Sequence, residues 1–83
     1  MSEVENIKIG KKRPTAYVSA GEYGISKHGE IKLLARGNNI PRAIIVGEML
    51  RKKIPNVKYV VEIDTEEHDE KIVPTIEIGL KAN

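Results

Sequence analysis

Apolar and polar positions alternate from the start of the chain: Ile7 and Ile9 flank Lys8 between Glu5 and Gly10, which predicts a short strand over Glu5 to Ile9. Lys11-Lys12-Arg13-Pro14 follows as a basic turn, and Pro14 suits the first turn of a helix, where its missing N–H would have no partner anyway. The spacing of Tyr17, Val18, Ala20 and Ile25 predicts that helix over Thr15 to Ser26, although Gly21 and Gly24 each cost about 1 kcal/mol relative to Ala in a helix interior. After a break at Gly29, Glu30 to Ala35 reads as a mostly buried strand, and Arg36-Gly37-Asn38-Asn39 as a polar loop whose Gly and Asn residues tolerate positive φ. Pro41 opens the clearest helix, which extends to Lys53, with Ile40, Ala43, Ile44, Gly47, Leu50 and Ile54 at helical spacing. Pro55 and Asn56 stop it.

Val57 to Asp64 is a β-branched strand with Val57, Tyr59, Val61 and Ile63 on one face, and Ile72 to Lys81 alternates Ile76, Ile78 and Leu80 with Glu77 and Gly79. The polar link Thr65 to Lys71 is too short for a helical crossover, so these strands form an antiparallel hairpin. Pro74 cannot donate a ladder hydrogen bond and belongs at a bulge or on a free edge near the hairpin tip. The predicted order is β-α-β-α-β-β, an α/β two-layer sandwich with two helices on one face of a mixed four-stranded sheet, and residues 1–83 read as a single domain.

Composition changes this picture in two ways. The chain has 83 residues, twelve Ile and no Phe, Trp or Cys, so an aliphatic core without disulfides must stabilise a small fold, and oligomerisation is the expected remedy. The absence of Cys also excludes an iron–sulfur cluster, a CxxC redox pair and a cysteine-based zinc knuckle, and no cofactor is implied. The acidic start and the lack of an apolar run approaching about 18 residues predict a cytoplasmic chain with no membrane partner. The absence of Gln, with abundant Lys, Glu and Ile, is a bias seen in proteins of high-temperature organisms.

Charge is strongly polarised. Met1 to Val60 holds twelve Lys or Arg against five Glu, a balance of +7, whereas Val61 to Asn83 holds two Lys against seven acids, a balance of −5. Such a split suits either a basic face for a polyanion with a separate acidic element or a solvated, heat-adapted surface. Lys11, Lys12 and Arg13 form a three-cation turn before a helix start, able to meet phosphates or simply to keep the turn soluble. Arg36 beside Gly37 offers a forked donor where a backbone can come close. Arg51, Lys52 and Lys53 complement the helix dipole or contact nucleic acid. His68 among Glu66, Glu67, Asp69 and Glu70 matches no EF-hand or zinc spacing and reads as a solvated turn before a cation site. His28 is a lone turn histidine, and no nucleophile, base and oxyanion set can be assembled, which argues against an enzyme. Tyr17 and Tyr23 are core residues or, less simply, stacking platforms for bases.

Ile9-Gly10-Lys11-Lys12, followed by Tyr17-Val18 and Ala20, resembles the opening signature of the Alba family, small archaeal proteins that coat DNA and RNA. Ile31 to Ala43, IKLLARGNNIPRA, resembles that family's second strand, Arg-Gly loop and second-helix start, and Pro74 to Ile78 is similar to its last strand. The resemblance implies a homodimer whose basic body lies over a duplex while two hairpin arms reach along it. It carries over Lys11 and Lys12 as central phosphate-contacting lysines, where acetylation can weaken binding, Arg36 as the arginine of the loop, and Arg42 as a basic position at the start of helix two. The chain departs from the pattern at Asn38, where many members have a second basic residue, and in a first helix that is glycine-richer and about one residue shorter. It also departs at Ile54, where some members place a Phe used in dimer-to-dimer packing, and in a short acidic hairpin tip where others are basic.

The expected function is sequence-independent binding of double-stranded DNA, RNA or both through phosphates, with Lys11, Lys12, Arg13, Arg36 and Arg42 as contacts and a chromatin or RNA-packaging role at the chromosome. The alternative is a protein-interaction module of the same fold with weak nucleic-acid binding, its acidic hairpin docking onto a basic partner such as a paralogue in a heterodimer. In both, the acidic tip is expected to point away from the duplex or to dock elsewhere, because like charges repel within the Debye length of about 8 Å.

Overall fold

The computed structural model describes residues 4–83. Strand β1 (Glu5–Lys8) leads to helix α1 (Pro14–His28), strand β2 (Glu30–Arg36), a 3-10 turn (Gly37–Asn39), helix α2 (Ile40–Lys53) and strands β3 (Lys58–His68) and β4 (Lys71–Lys81). The sheet order is β1-β2-β4-β3. β1 pairs parallel with β2, and β4 runs antiparallel to both of its neighbours. This is the predicted mixed four-stranded sheet, and Ile31, Leu33, Ile76, Ile78 and Leu80 face the helix layer from it.

Helix α1 is longer than the predicted Thr15 to Ser26 at both ends. Pro14 occupies its first turn, and Gly29 closes it at φ 81° with its N–H donated to the Ile25 carbonyl at 2.8 Å. Its buried stripe is Tyr17, Val18, Gly21, Gly24 and Ile25, and Ala20, expected in the core, is exposed. The two glycines thus belong to the packing face. A Cβ at Gly21 would stand 2.6 Å from Leu50 Cδ1, and one at Gly24 would stand 2.7 Å from Ile31 Cγ2. Their cost in helix propensity is offset by a backbone approach that no larger residue permits.

In α2 the core positions are Ala43, Val46, Gly47 and Leu50, whereas Ile44, predicted inside, is 45% exposed. An apolar stripe wide enough to include both flanks does not say which flank faces the sheet, and the packing selects the Val46 side.

The hairpin is longer than expected. Its ladder continues to His68 opposite Lys71, leaving only Asp69 and Glu70 in the turn, both at positive φ as a two-residue hairpin turn with the sheet's own twist requires. β2 ends opposite Thr75, so Pro74 sits just beyond, where β4 has no strand partner on that side and no ladder N–H is needed there. Tyr59, Val61 and Ile63 share one face as predicted, the helix side, whereas Val57 lies before the strand begins, and Ile63 is 75% exposed because neither helix extends over it.

The close approach at Gly24 has a measurable consequence. Gly24→Ala should lower the free energy of unfolding by about 1–3 kcal/mol, because overpacking against the stiff branch of Ile31 outweighs the roughly 1 kcal/mol gained in helix propensity. Urea unfolding would measure this, and a stabilised variant would mean that the helix can move off the sheet freely.

Candidate nucleic-acid interface

Because β1 and β2 run parallel, both strands end on the same side of the sheet, and both helices start there. Lys11, Lys12 and Arg13 occupy the β1–α1 loop, Arg36 ends β2, and Arg42 lies in the first turn of α2. The five predicted contacts therefore converge on one end of the sandwich. Neither helix has an acid in its first turn, and Arg13 stands at the N-cap of α1. Cations there oppose the helix dipole, whose positive end favours anions, so this end concentrates unneutralised positive potential.

The lysine turn is held by side chains from both helices. The Tyr17 hydroxyl oxygen accepts the Gly10 N–H at 2.8 Å and the Lys12 N–H at 3.1 Å. Arg42 Nη1 donates to the Gly10 carbonyl at 2.8 Å. Lys11, Lys12 and Arg13 are exposed, and Arg42, half-buried, uses Nη1 for this bond and keeps further N–H donors. Sequence reasoning placed Tyr17 in the core, where its ring does pack, and missed the role of its oxygen. The only signal available was its fixed spacing after Gly10 and Lys12, which carries no three-dimensional meaning until the turn is built.

Arg36 lies at the opposite, open-face side of this end. Glu66 Oε2 lies 3.7 Å from Arg36 Nη1 and 2.8 Å from His68 Nε2. The acidic hairpin leaves the sheet from the same end as the basic loops and runs about four residues, roughly 14 Å, past the last pairing with β2. It is not segregated from the basic face, as its charge had suggested; one of its acids is already paired with a predicted contact.

The three cations that end α2 do not join this cluster, whereas Lys8, the last residue of β1, lies at the same end of the sheet. α2 is 14 residues long, about 21 Å, so Arg51, Lys52 and Lys53 stand at the far end. Arg51 grips Glu48 in a bidentate pair at 3.1 and 2.7 Å, and Lys53 reaches Glu22 at 3.0 Å. The Arg51 hydrogen bonds hold the Glu48 carboxyl below its ordinary range, and burial, aided by the Glu48 charge, pushes the Tyr59 phenol up. Tyr23, read as a core residue, is exposed, with Lys27 Nζ 5.6 Å from its ring centroid. His28 lies 3.5 Å from Glu5 at the other end of the sheet. Among the described residues, no His, Asp and Glu cluster is arranged to hold a metal ion, and no helix is long and apolar enough to cross a membrane.

Comparison with known proteins places this geometry. Residues 5–66 match the family model described as Alba. A DNA/RNA-binding protein Alba from Nitrosopumilus maritimus (strain SCM1) is 29% identical over 87 residues, covering 95% of this chain and 92% of the relative. The solved structure of Alba from Thermoplasma volcanium superposes with a TM-score of 0.81 at 33% identity, over 93% of this chain and 99% of that one. ALBA1 from Trypanosoma brucei shares the fold at 22% identity and a TM-score of 0.77, over 94% of this chain and 68% of that one.

Proposed function

The chain belongs to the Alba family, and we propose that it binds double-stranded DNA, RNA or both through phosphate contacts, indifferent to base sequence, in a chromatin or RNA-packaging role. The observation that carries this reading is the convergence of Lys11, Lys12, Arg13, Arg36 and Arg42 at two acid-free helix starts. Long cations of this kind, all but Arg42 exposed, neutralise phosphates and release counterions whatever the base sequence. The DNA/RNA-binding name of the relative from Nitrosopumilus maritimus supports the same class of partner. In this reading residues 1–83 act as one domain, a binding protein and not an enzyme, working in the cytoplasm on the chromosome.

We read the functional unit as a dimer, formed with a second copy or a paralogue. Ile44 sits one turn before Glu48 and two before Arg51, whose guanidinium lies 5.6 Å from the Tyr59 ring, so this flank of α2 is turned toward β3. With Val61 and Ile63 on the helix-side face of β3, it leaves an aliphatic surface exposed on a small molecule.

One contact favours the second reading, an interaction module that binds nucleic acid weakly. Glu66 beside Arg36 competes with phosphate for the same guanidinium, and Asp64, Glu67, Asp69 and Glu70 add negative potential along the hairpin.

Three measurements test these statements. Lys11→Ala with Lys12→Ala should reduce the log–log salt slope of duplex binding by about two per protomer, and an unchanged slope would falsify their assignment. Sedimentation at micromolar concentration should give a species of twice 9.3 kDa, which Ile63→Glu should shift to monomer; a dimer that survives this change uses another face. Glu66→Gln should raise affinity by up to about fivefold, the worth of one exposed ion pair, and unaltered binding would indicate that Arg36 never meets the duplex.

A further inference from the structure

We propose that Tyr17 is a positioning residue for this interface: its hydroxyl, with Arg42, fixes the backbone that carries Lys11 and Lys12 before nucleic acid arrives. The proposal rests on the reading that these lysines bind phosphate. Between β1 and α1 the chain has only residues 9–13, and side chains or sheet hold three of them. Ile9 donates its N–H to Leu34 of β2 at 2.8 Å. Gly10 is pinned at both backbone groups, its N–H by the Tyr17 oxygen at 2.8 Å and its carbonyl by Arg42 Nη1 at 2.8 Å. Lys12 is pinned at its N–H by the same Tyr17 oxygen at 3.1 Å. Lys11 therefore sits between two anchored amides.

The anchor itself cannot swing away. The Tyr17 ring is buried in the core cluster with Val18 and Ile25, and two accepted N–H groups occupy both lone pairs of its oxygen. The fit is close, since a Cβ at Gly10 would meet that oxygen at 3.3 Å. Without these bonds the turn from Gly10 to Arg13 would have to be ordered at the moment of binding, and that ordering would weaken every contact it carries. Tyr17 bears no charge, so its contribution is separable from that of the cations: it should change affinity without changing how many phosphates are neutralised.

The test uses the full chain and a fluorescein-labelled DNA duplex, with four proteins: the parent, Tyr17→Phe, Lys11→Ala with Lys12→Ala, and all three changes together. Phe keeps the buried ring, and circular dichroism confirms folding at the assay temperature. Tyr17→Phe should weaken binding about five- to tenfold, the cost of ordering at the moment of binding a turn that the two hydrogen bonds no longer hold, in a line parallel to the parent's on the log–log salt plot. Adding Tyr17→Phe to the lysine variant should weaken it far less than it weakens the parent, because of the turn's three cations only Arg13, at the N-cap of α1, then remains. If Tyr17→Phe is neutral while the lysine variant is weakened, the inference fails and the function stands. If Tyr17→Phe weakens the lysine variant equally, Tyr17 serves the fold or touches nucleic acid itself, and the inference fails. If the lysine variant binds like the parent, the phosphate reading of the turn fails and takes the inference with it. Amide hydrogen exchange gives an independent readout: Gly10 and Lys12 should be protected in the free parent and exposed in Tyr17→Phe, with Ile9 protected in both. Rapid exchange at Gly10 and Lys12 in the parent would overturn the latch without any variant.

Discussion

The parallel pairing of β1 with β2, in register from Glu5 opposite Ile31 to Lys8 opposite Leu34, is the constraint on which the basic face depends. A parallel pair requires a crossover, and α1 supplies it by returning the chain to the start of the sheet, so that both strands discharge their loops on one side. Reversing β1 would carry Lys11, Lys12 and Arg13 to the opposite end and leave Arg36 and Arg42 alone. The same pairing delivers the amino ends of both helices to that side, where their free N–H groups add to the field of the side chains.

Crossover packing of this kind works only if the helices lie close to the sheet and to each other. Gly21 meets Leu50 of α2, Gly24 meets Ile31 of β2, and Gly47 meets Tyr59 and Ile78. All three are in helix interiors, where propensity disfavours glycine. A core built from Ile, Leu and Val, with no Phe or Trp to fill wide gaps, needs this short interlayer distance to reach native packing density. The missing aromatic volume and the helical glycines are thus two expressions of one packing solution.

The electrostatics of the end of the sandwich are a balance and not a uniform patch. Five cations and the two helix starts stand beside a hairpin that carries Glu66 and Glu67 at the end of β3 and Asp69 and Glu70 in its turn, and Glu66 engages Arg36 directly. Exposed pairs of this type are worth little to stability, so the arrangement shapes the potential of this end more than it shapes the fold. On the other side of the same end, Tyr17 and Arg42 organise the lysine turn through neutral backbone groups, where screening by salt has little to act upon.

Much of this was legible in the linear chain because it is written in local periodicity and local charge. The period of two around Ile7 and Ile9, the stop at Pro55 and Asn56, and the alternation of Ile76, Ile78 and Leu80 determine the element order without reference to anything distant. The basic turn and the Arg36-Gly37 loop were legible because their residues are adjacent. Which flank of α2 is buried was not, since Ile44 and Val46 both fit an amphipathic helix and only the sheet beneath distinguishes them. The pairing of Arg36 with Glu66 depends on the register that sets Arg36 opposite Thr75 and Thr75 opposite Asp64. The Gly10–Arg42 bond joins residues 32 positions apart, and the Tyr17 bonds require a turn already folded over its own helix. Hydrophobic pattern is a one-dimensional quantity and survives in the sequence; directed hydrogen bonds and ion pairs demand positions within a few ångströms, and only the packed structure decides those.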